Sequence, residues 1–156
     1  MSTPKTVPYE TTLHVRDHCL CLHVQRAARA LARRFDEALR PVGLNNGQFS
    51  MMMALNRPEP PTMGQVAHVL AMDRTTLTAK LKPLERNGLV KIEPDEKDRR
   101  SRRISLTPEG METLARAVPI WQSEHGRIDK ELGDATGNSL RSDLFGLSFP
   151  GAAGTP

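Results

Sequence analysis

The chain has 156 residues, a formal net charge of +4, 38% hydrophobic residues and only 4% aromatic ones. That length fits one domain, or one plus an appendage, and so few large apolar side chains suit a core completed against a second copy. No stretch approaches the roughly 20 apolar residues of a membrane span, and residues 1–12 lack the apolar core of a secretory signal. Cys19 and Cys21 stand too close in sequence to staple a disulfide framework, so a reducing cytoplasm with free thiols is expected.

Residues 1–12, with Pro4 and Pro8, are expected to form a flexible arm. Leu20, Val24, Ala27, Ala28, Leu31, Phe35, Ala38 and Leu39 recur at steps of three and four, which predicts one long amphipathic helix ended by Pro41 and Gly43. Asn45 and Gln48 cap a short helix through Phe49, Met52 and Leu55, in which Met51, Met52 and Met53 read as core filler. Pro58, Pro60 and Pro61 make a stiff connector.

Thr62 and Gln65 fit a capping box for a short helix carrying Val66, Ala67, Val69 and Leu70. Ala71-Met72 is a tight turn, and Asp73 caps the next helix, whose Leu77, Leu81 and Leu84 form one buried stripe. That helix ends at Asn87-Gly88, and two helices so joined make a helix-turn-helix. The period then changes to two: Val90 and Ile92, then Ile104 and Leu106, flank a charged loop from Pro94 to Arg102, a hairpin with a basic tip. Thr107 and Pro108 open another helix, which Pro119 should kink unless a new helix begins there. Trp121, Ile128 and Leu132 continue the apolar series; Trp121 reads as an anchor of the core or an interface, or as part of a ligand pocket. A last helix through Leu140, Leu144 and Leu147 precedes a tail, 150–156, expected to be disordered. The fold class is mainly α, a winged helix-turn-helix with a two-stranded wing plus terminal helices. The winged unit spans 43–107, and 13–42 with 108–149 form a helical dimerisation region.

From Leu70 to Arg103 there are ten basic and six acidic side chains, so this window holds the whole excess charge. A local basic surface on a neutral remainder suits a polyanion such as double-stranded DNA. With its leucines turned inward, the second helix presents Arg74, Thr75, Thr78, Lys82 and Arg86, and a helix of this width fits the major groove. Arg99, Arg100, Arg102 and Arg103 on the loop suit the electronegative minor groove. Asp95, Glu96 and Asp98 make sense as partners that orient those arginines. The expected DNA-contact set is Thr62, Arg74, Thr75, Thr76, Thr78, Lys80, Lys82, Arg99, Arg100, Arg102 and Arg103.

The run from Thr62 to Gly110 resembles the winged helix-turn-helix of the MarR family of bacterial transcription regulators. The matching segments are Gly64-Gln65-Val66-Ala67, Asp73-Arg74-Thr75-Thr76-Leu77-Thr78 and Leu84-Glu85-Arg86-Asn87-Gly88-Leu89-Val90. The most specific is Asp98-Arg99-Arg100-Ser101-Arg102-Arg103-Ile104-Ser105-Leu106-Thr107-Pro108-Glu109-Gly110, with the family's Asp-x-Arg wing and Leu-Thr-x-x-Gly exit. The resemblance implies a homodimer with interlocking terminal helices, a pseudo-palindromic operator, repression, and release by a small phenolic ligand or thiol oxidation. It places Thr75 and Thr78 in the groove, makes Arg100 the minor-groove arginine and has Asp98 brace the wing. Ala79 departs from the arginine of many members, and Pro83 inside the recognition helix should remove a hydrogen bond and bend it.

His14, His18 and Cys21, at i, i+4 and i+7, would share one face of the first helix, with Cys19 and His23 on another. Three such side chains could hold Zn²⁺ or Cu⁺ with a fourth ligand from a partner; packing and redox readings stay open beside that one. Leu20-Cys21-Leu22 with Ala27-Ala28-Arg29 resembles the peroxide-sensing branch of the family, and a helix N-terminus near Arg16 favours thiolate chemistry. That branch holds its thiolate with tyrosines, whereas the one tyrosine here is Tyr9. No nucleophile elbow, phosphate loop or zinc-protease signature occurs, so neither an enzyme nor a bound cofactor is expected. A winged helix used only for protein contacts is disfavoured by the basic wing.

Overall fold

A computed structural model describes residues 5–151. Its elements in chain order are helices α1 (Tyr9–His18), α2 (Leu20–Leu39), α3 (Asn46–Leu55), α4 (Met63–Val69) and α5 (Arg74–Arg86), strands β1 (Val90–Pro94) and β2 (Arg102–Leu106), then α6 (Pro108–Leu132) and α7 (Asp134–Ser148). A single 3-10 turn, Arg40–Val42, ends α2 at Gly43. The fold is mainly helical with one two-stranded antiparallel sheet.

The local signals act as their chemistry requires. Asn45 with Gln48, and Thr62 with Gln65, both form complete capping boxes that satisfy backbone donors at helix starts. Asp73 accepts from the Thr76 amide at 2.8 Å to start α5, and Thr107 accepts from the Gly110 amide at 3.0 Å to start α6. Gly88 ends α5 with φ +72°, a left-handed turn that glycine adopts without cost. Ala71, with φ 48°, makes the turn between α4 and α5. In the hairpin Ile92 pairs with Ile104 and Val90 with Leu106.

The core lies where the winged unit, with α3 in it, meets α2 and α6. Leu77, Leu81 and Leu84 are fully buried, with Ile104 of the wing and Leu39 and Met52 behind them. Met51 and Met52 are core, whereas Met53 is 40% exposed. A Cβ built on Gly110 would lie 2.0 Å from the Leu89 carbonyl oxygen, so only glycine lets the start of α6 pack against the end of the α5 turn. Glu124, buried on α6, accepts from Arg34 of α2 at 2.8 Å and from Arg127 at 2.6 Å. Arg34 also clamps Glu131 with two hydrogen bonds, tying α2 to α6.

Four expectations change here. Residues 9–12 begin helix α1 rather than belonging to an arm; residues 1–4 of that arm and 152–156 of the expected tail lie outside the described residues. The predicted single first helix is broken at Cys19, whose ψ of 107° is extended. No helix begins at Pro119, because α6 runs through it to Leu132; α5 likewise contains Pro83. The break at Cys19 also divides the proposed metal stripe, placing His14 and His18 on α1 and Cys21 on α2. His18 Nδ1 donates to the His14 carbonyl at 2.9 Å and the two rings stack 4.2 Å apart. Among the described residues no three His, Cys, Asp or Glu side chains come together in a metal-holding group.

Candidate nucleic-acid interface

The exposed face of α5 follows from its buried one. With the leucines inward, Arg74, Thr75, Thr78, Lys80, Lys82 and Arg86 are exposed, and so is Ala79 at the departure from the family pattern. Thr78, itself exposed, donates its hydroxyl to the Arg74 carbonyl at 2.8 Å. Thr76 behaves differently from Thr75 and Thr78. Both its amide and its hydroxyl, the latter at 2.7 Å, donate to Asp73, so it serves the cap. Those hydrogen bonds hold the Asp73 carboxyl below its ordinary range.

Thr62 is likewise engaged in structure: its hydroxyl accepts from the Gln65 amide at 3.3 Å. It forms an isolated bridge with Arg103, and the Ile104 amide donates to Pro61 at 3.0 Å. The connector of prolines thereby adds a short edge to the wing, and the start of α4 adjoins the wing's root. At its other side the start of α4 meets α5, because the Arg74 guanidinium lies over Gly64. Helix α5, α4 and the wing form one continuous surface.

The wing arginines divide into two kinds. Arg99 and Arg100 sit in the loop and are exposed; Arg102 is exposed at the start of β2. Arg103, expected on the flexible tip, is instead fixed in β2. Its Nε lies 3.0 Å from Asp95 Oδ2 and its Nη1 donates to the Pro60 carbonyl at 2.5 Å. Asp95 is the buried acid of the wing; it accepts from the Lys97 amide at 3.0 Å while its own amide donates to Ser101. The Lys97 amide, and then the Arg103 charge, hold its carboxyl below the ordinary range against the opposing effect of burial. Asp98 shapes the tip only locally, accepting from the Arg100 amide at 3.1 Å. Bracing of the wing across its strands therefore falls to Asp95, and Asp98 sets the turn that presents Arg100. The signal was the Asx-turn pattern Asp95-x-Lys97; its tie to Arg103 depends on the hairpin and cannot be read along the chain.

Away from this surface, α1 buries no residue, and on α2 only Phe35 and Leu39 are buried. Tyr9, Val15, Leu20, Val24 and Leu31 are exposed, as are Leu132, Leu140, Leu144 and Leu147 at the other end of the chain. Cys21 is exposed and its Sγ accepts from Gln25 at 3.0 Å; Cys19 is half-buried at the α1–α2 break. Trp121 stacks against Phe49 with centroids 6.0 Å apart and meets His125 at 4.7 Å. No described helix is long and apolar enough to cross a membrane.

The sequence pattern of the MarR family matches residues 44–101. The transcriptional activatory protein BadR of Rhodopseudomonas palustris is 31% identical over 82% of this chain and 74% of its own length. The organic hydroperoxide resistance transcriptional regulator of Bacillus subtilis is 30% identical over 82% of this chain and 86% of its own. Among solved structures, the transcriptional regulator MosR of M. tuberculosis in complex with DNA is 36% identical, with a TM-score of 0.77 over 84% of this chain and 94% of that one. The transcriptional repressor CouR bound to p-coumaroyl-CoA is 25% identical, with a TM-score of 0.77 over 87% of this chain and 96% of that one.

Proposed function

The chain belongs to the MarR family of DNA-binding transcriptional regulators and is not an enzyme; from that premise we propose that it binds a pseudo-palindromic operator as a homodimer. The observation that carries this reading is the continuous exposed surface of α5, the start of α4 and the wing. Thr75, Thr78, Lys80 and Lys82 meet the major groove, with Arg74 at its edge. Arg99, Arg100 and Arg102 reach the adjoining minor groove, where the potential is most negative. Thr62, Thr76 and Arg103 hold this surface in shape, so their loss acts on DNA binding through position. Dimerisation is supported by the uncovered apolar faces of α1, α2 and α7, which a monomer would leave in water. A dimer covering promoter DNA represses in the simplest arrangement, in a cytoplasmic setting.

The test is operator selection from genomic fragments followed by anisotropy titration. Bound sites should be two-fold, with half-sites about one helical turn apart, and affinity should fall steeply with salt. Affinity for random duplex equal to that for the selected site would overturn sequence-specific binding.

Release is proposed to follow thiol oxidation at Cys19 or Cys21. Its support is the exposed Cys21 sulfur and the similarity to the Bacillus subtilis hydroperoxide regulator. Stoichiometric peroxide should then give a modified cysteine by mass spectrometry and a weaker complex; unmodified thiols with unchanged binding would remove this reading. A second reading, release by a small aromatic ligand, is favoured by the rings of Phe35, Phe49, Trp121 and His125 where α2, α3 and α6 meet. CouR, which binds an aromatic acyl thioester, has the same fold. Quenching of Trp121 fluorescence by p-coumarate-like acids or thioesters tests it.

A further inference from the structure

Gly64 is the second residue of α4, a place where glycine destabilises a helix relative to alanine. Its backbone gives no reason for glycine, since the positive-φ glycines are Gly43, Gly88, Gly133 and Gly151. Nor does backbone packing. A Cβ built on Gly64 meets only the Arg74 side chain beyond its own helix, with Nη2 at 2.9 Å and Cζ at 3.8 Å. Alanine here would displace the guanidinium and nothing else. Arg74 is exposed, and among the described residues its side chain makes no ion pair. No carboxylate draws this long cation over α4; it rests on the one bare spot of that helix.

We propose that Gly64 is a positioning residue for DNA recognition, its missing side chain seating the Arg74 guanidinium between α4 and α5 for an acceptor oxygen of DNA. The proposal rests on the reading of Arg74 as a DNA contact. With no side chain at 64 the guanidinium has room to lie between α4 and α5, and a methyl group there displaces it, so the space serves affinity without adding a contact. Gly64 thereby trades helix stability for recognition, and that trade gives a signature that a purely structural glycine lacks.

The experiment compares Gly64→Ala, Arg74→Ala and the double variant in the full chain, reading thermal melting and anisotropy on the selected operator. Gly64→Ala should melt higher than wild type yet bind at least about fivefold more weakly. In the Arg74→Ala background the same substitution should change affinity less than about twofold. Gly64→Ser, which fills the same spot, should repeat the loss. A flatter salt dependence of Arg74→Ala marks a phosphate acceptor, and relaxed preference at one base pair marks a guanine edge; either supports the contact on which the seat depends. If Arg74→Ala weakens binding but Gly64→Ala does not, the seat is overturned while the contact stands. If Arg74→Ala binds like wild type, the contact reading fails and the seat with it. An equal loss from Gly64→Ala with and without Arg74 also overturns the proposal.

Discussion

Leu77, Leu81 and Leu84 of α5 are fully buried, whereas Leu140, Leu144 and Leu147 of α7, at the same spacing, are 43%, 36% and 60% exposed. Both helices carry the apolar stripe that their sequence spells. The first stripe is covered within the chain by the wing, α3 and α4, whereas among the described residues α7 packs chiefly on α6. Periodicity thus specifies a helix and the face it will bury; what does the burying is decided by the rest of the fold. In the winged unit that cover is local, so one chain completes it. At the two chain ends one chain leaves the apolar stripes exposed, and the proposed dimer is what would bury them.

The comparison breaks most severely at the closed side. Gly110→Ala drives a methyl group into the Leu89 carbonyl, and should cost about 3–4 kcal/mol, above the usual range for one substitution. A urea midpoint that does not move would contradict that packing. At the open side, Leu140→Asp combined with Leu144→Asp should leave the winged unit folded but separate the protomers. Operator affinity should then fall by about 100-fold, the loss expected when two linked sites act singly. Anisotropy and sedimentation of the same sample check both halves of that statement.

Between the two sides lies the wing, where Arg100→Ala should weaken operator binding by about 1–3 kcal/mol with unchanged melting. The smallest effect is expected at the α2–α6 ion network. The hydrogen bond from Arg34, more than that from Arg127, holds the Glu124 carboxyl below its ordinary value of 4.5. A depressed folded-state value means stability that is present above that ordinary value and is lost as pH falls through the folded one. Glu124→Gln should cost about 1–2 kcal/mol near neutral pH and flatten the acid limb of the stability profile below about pH 4.5. An unchanged acid limb would show that the pair contributes nothing.

Legibility in the sequence follows the range of the interaction. The caps at Asn45, Thr62, Asp73 and Thr107 act within three residues, and each is read directly from the chain. The hairpin is equally plain, because Val90, Ile92, Ile104 and Leu106 alternate around a polar loop. The break at Cys19 was hidden, since neither glycine nor proline marks it and the apolar period runs on to the first turn of α2. Arg103 looked like its neighbours on the tip, yet Pro60, 43 residues earlier, and Asp95 claim its guanidinium. Thr76 resembles Thr75 and Thr78 in type, but its place in the first turn assigns its hydroxyl to Asp73. The contacts that the sequence does not show are thus those of residues whose partners come from elsewhere in the fold, or whose turn position outweighs their type.

The stoichiometry of the operator complex tests the central idea most directly. Sedimentation equilibrium on a duplex with two half-sites should find two chains of 17.3 kDa on each duplex, with a duplex of one half-site bound far more weakly. A single chain on each duplex, holding one half-site as tightly as two, would contradict it.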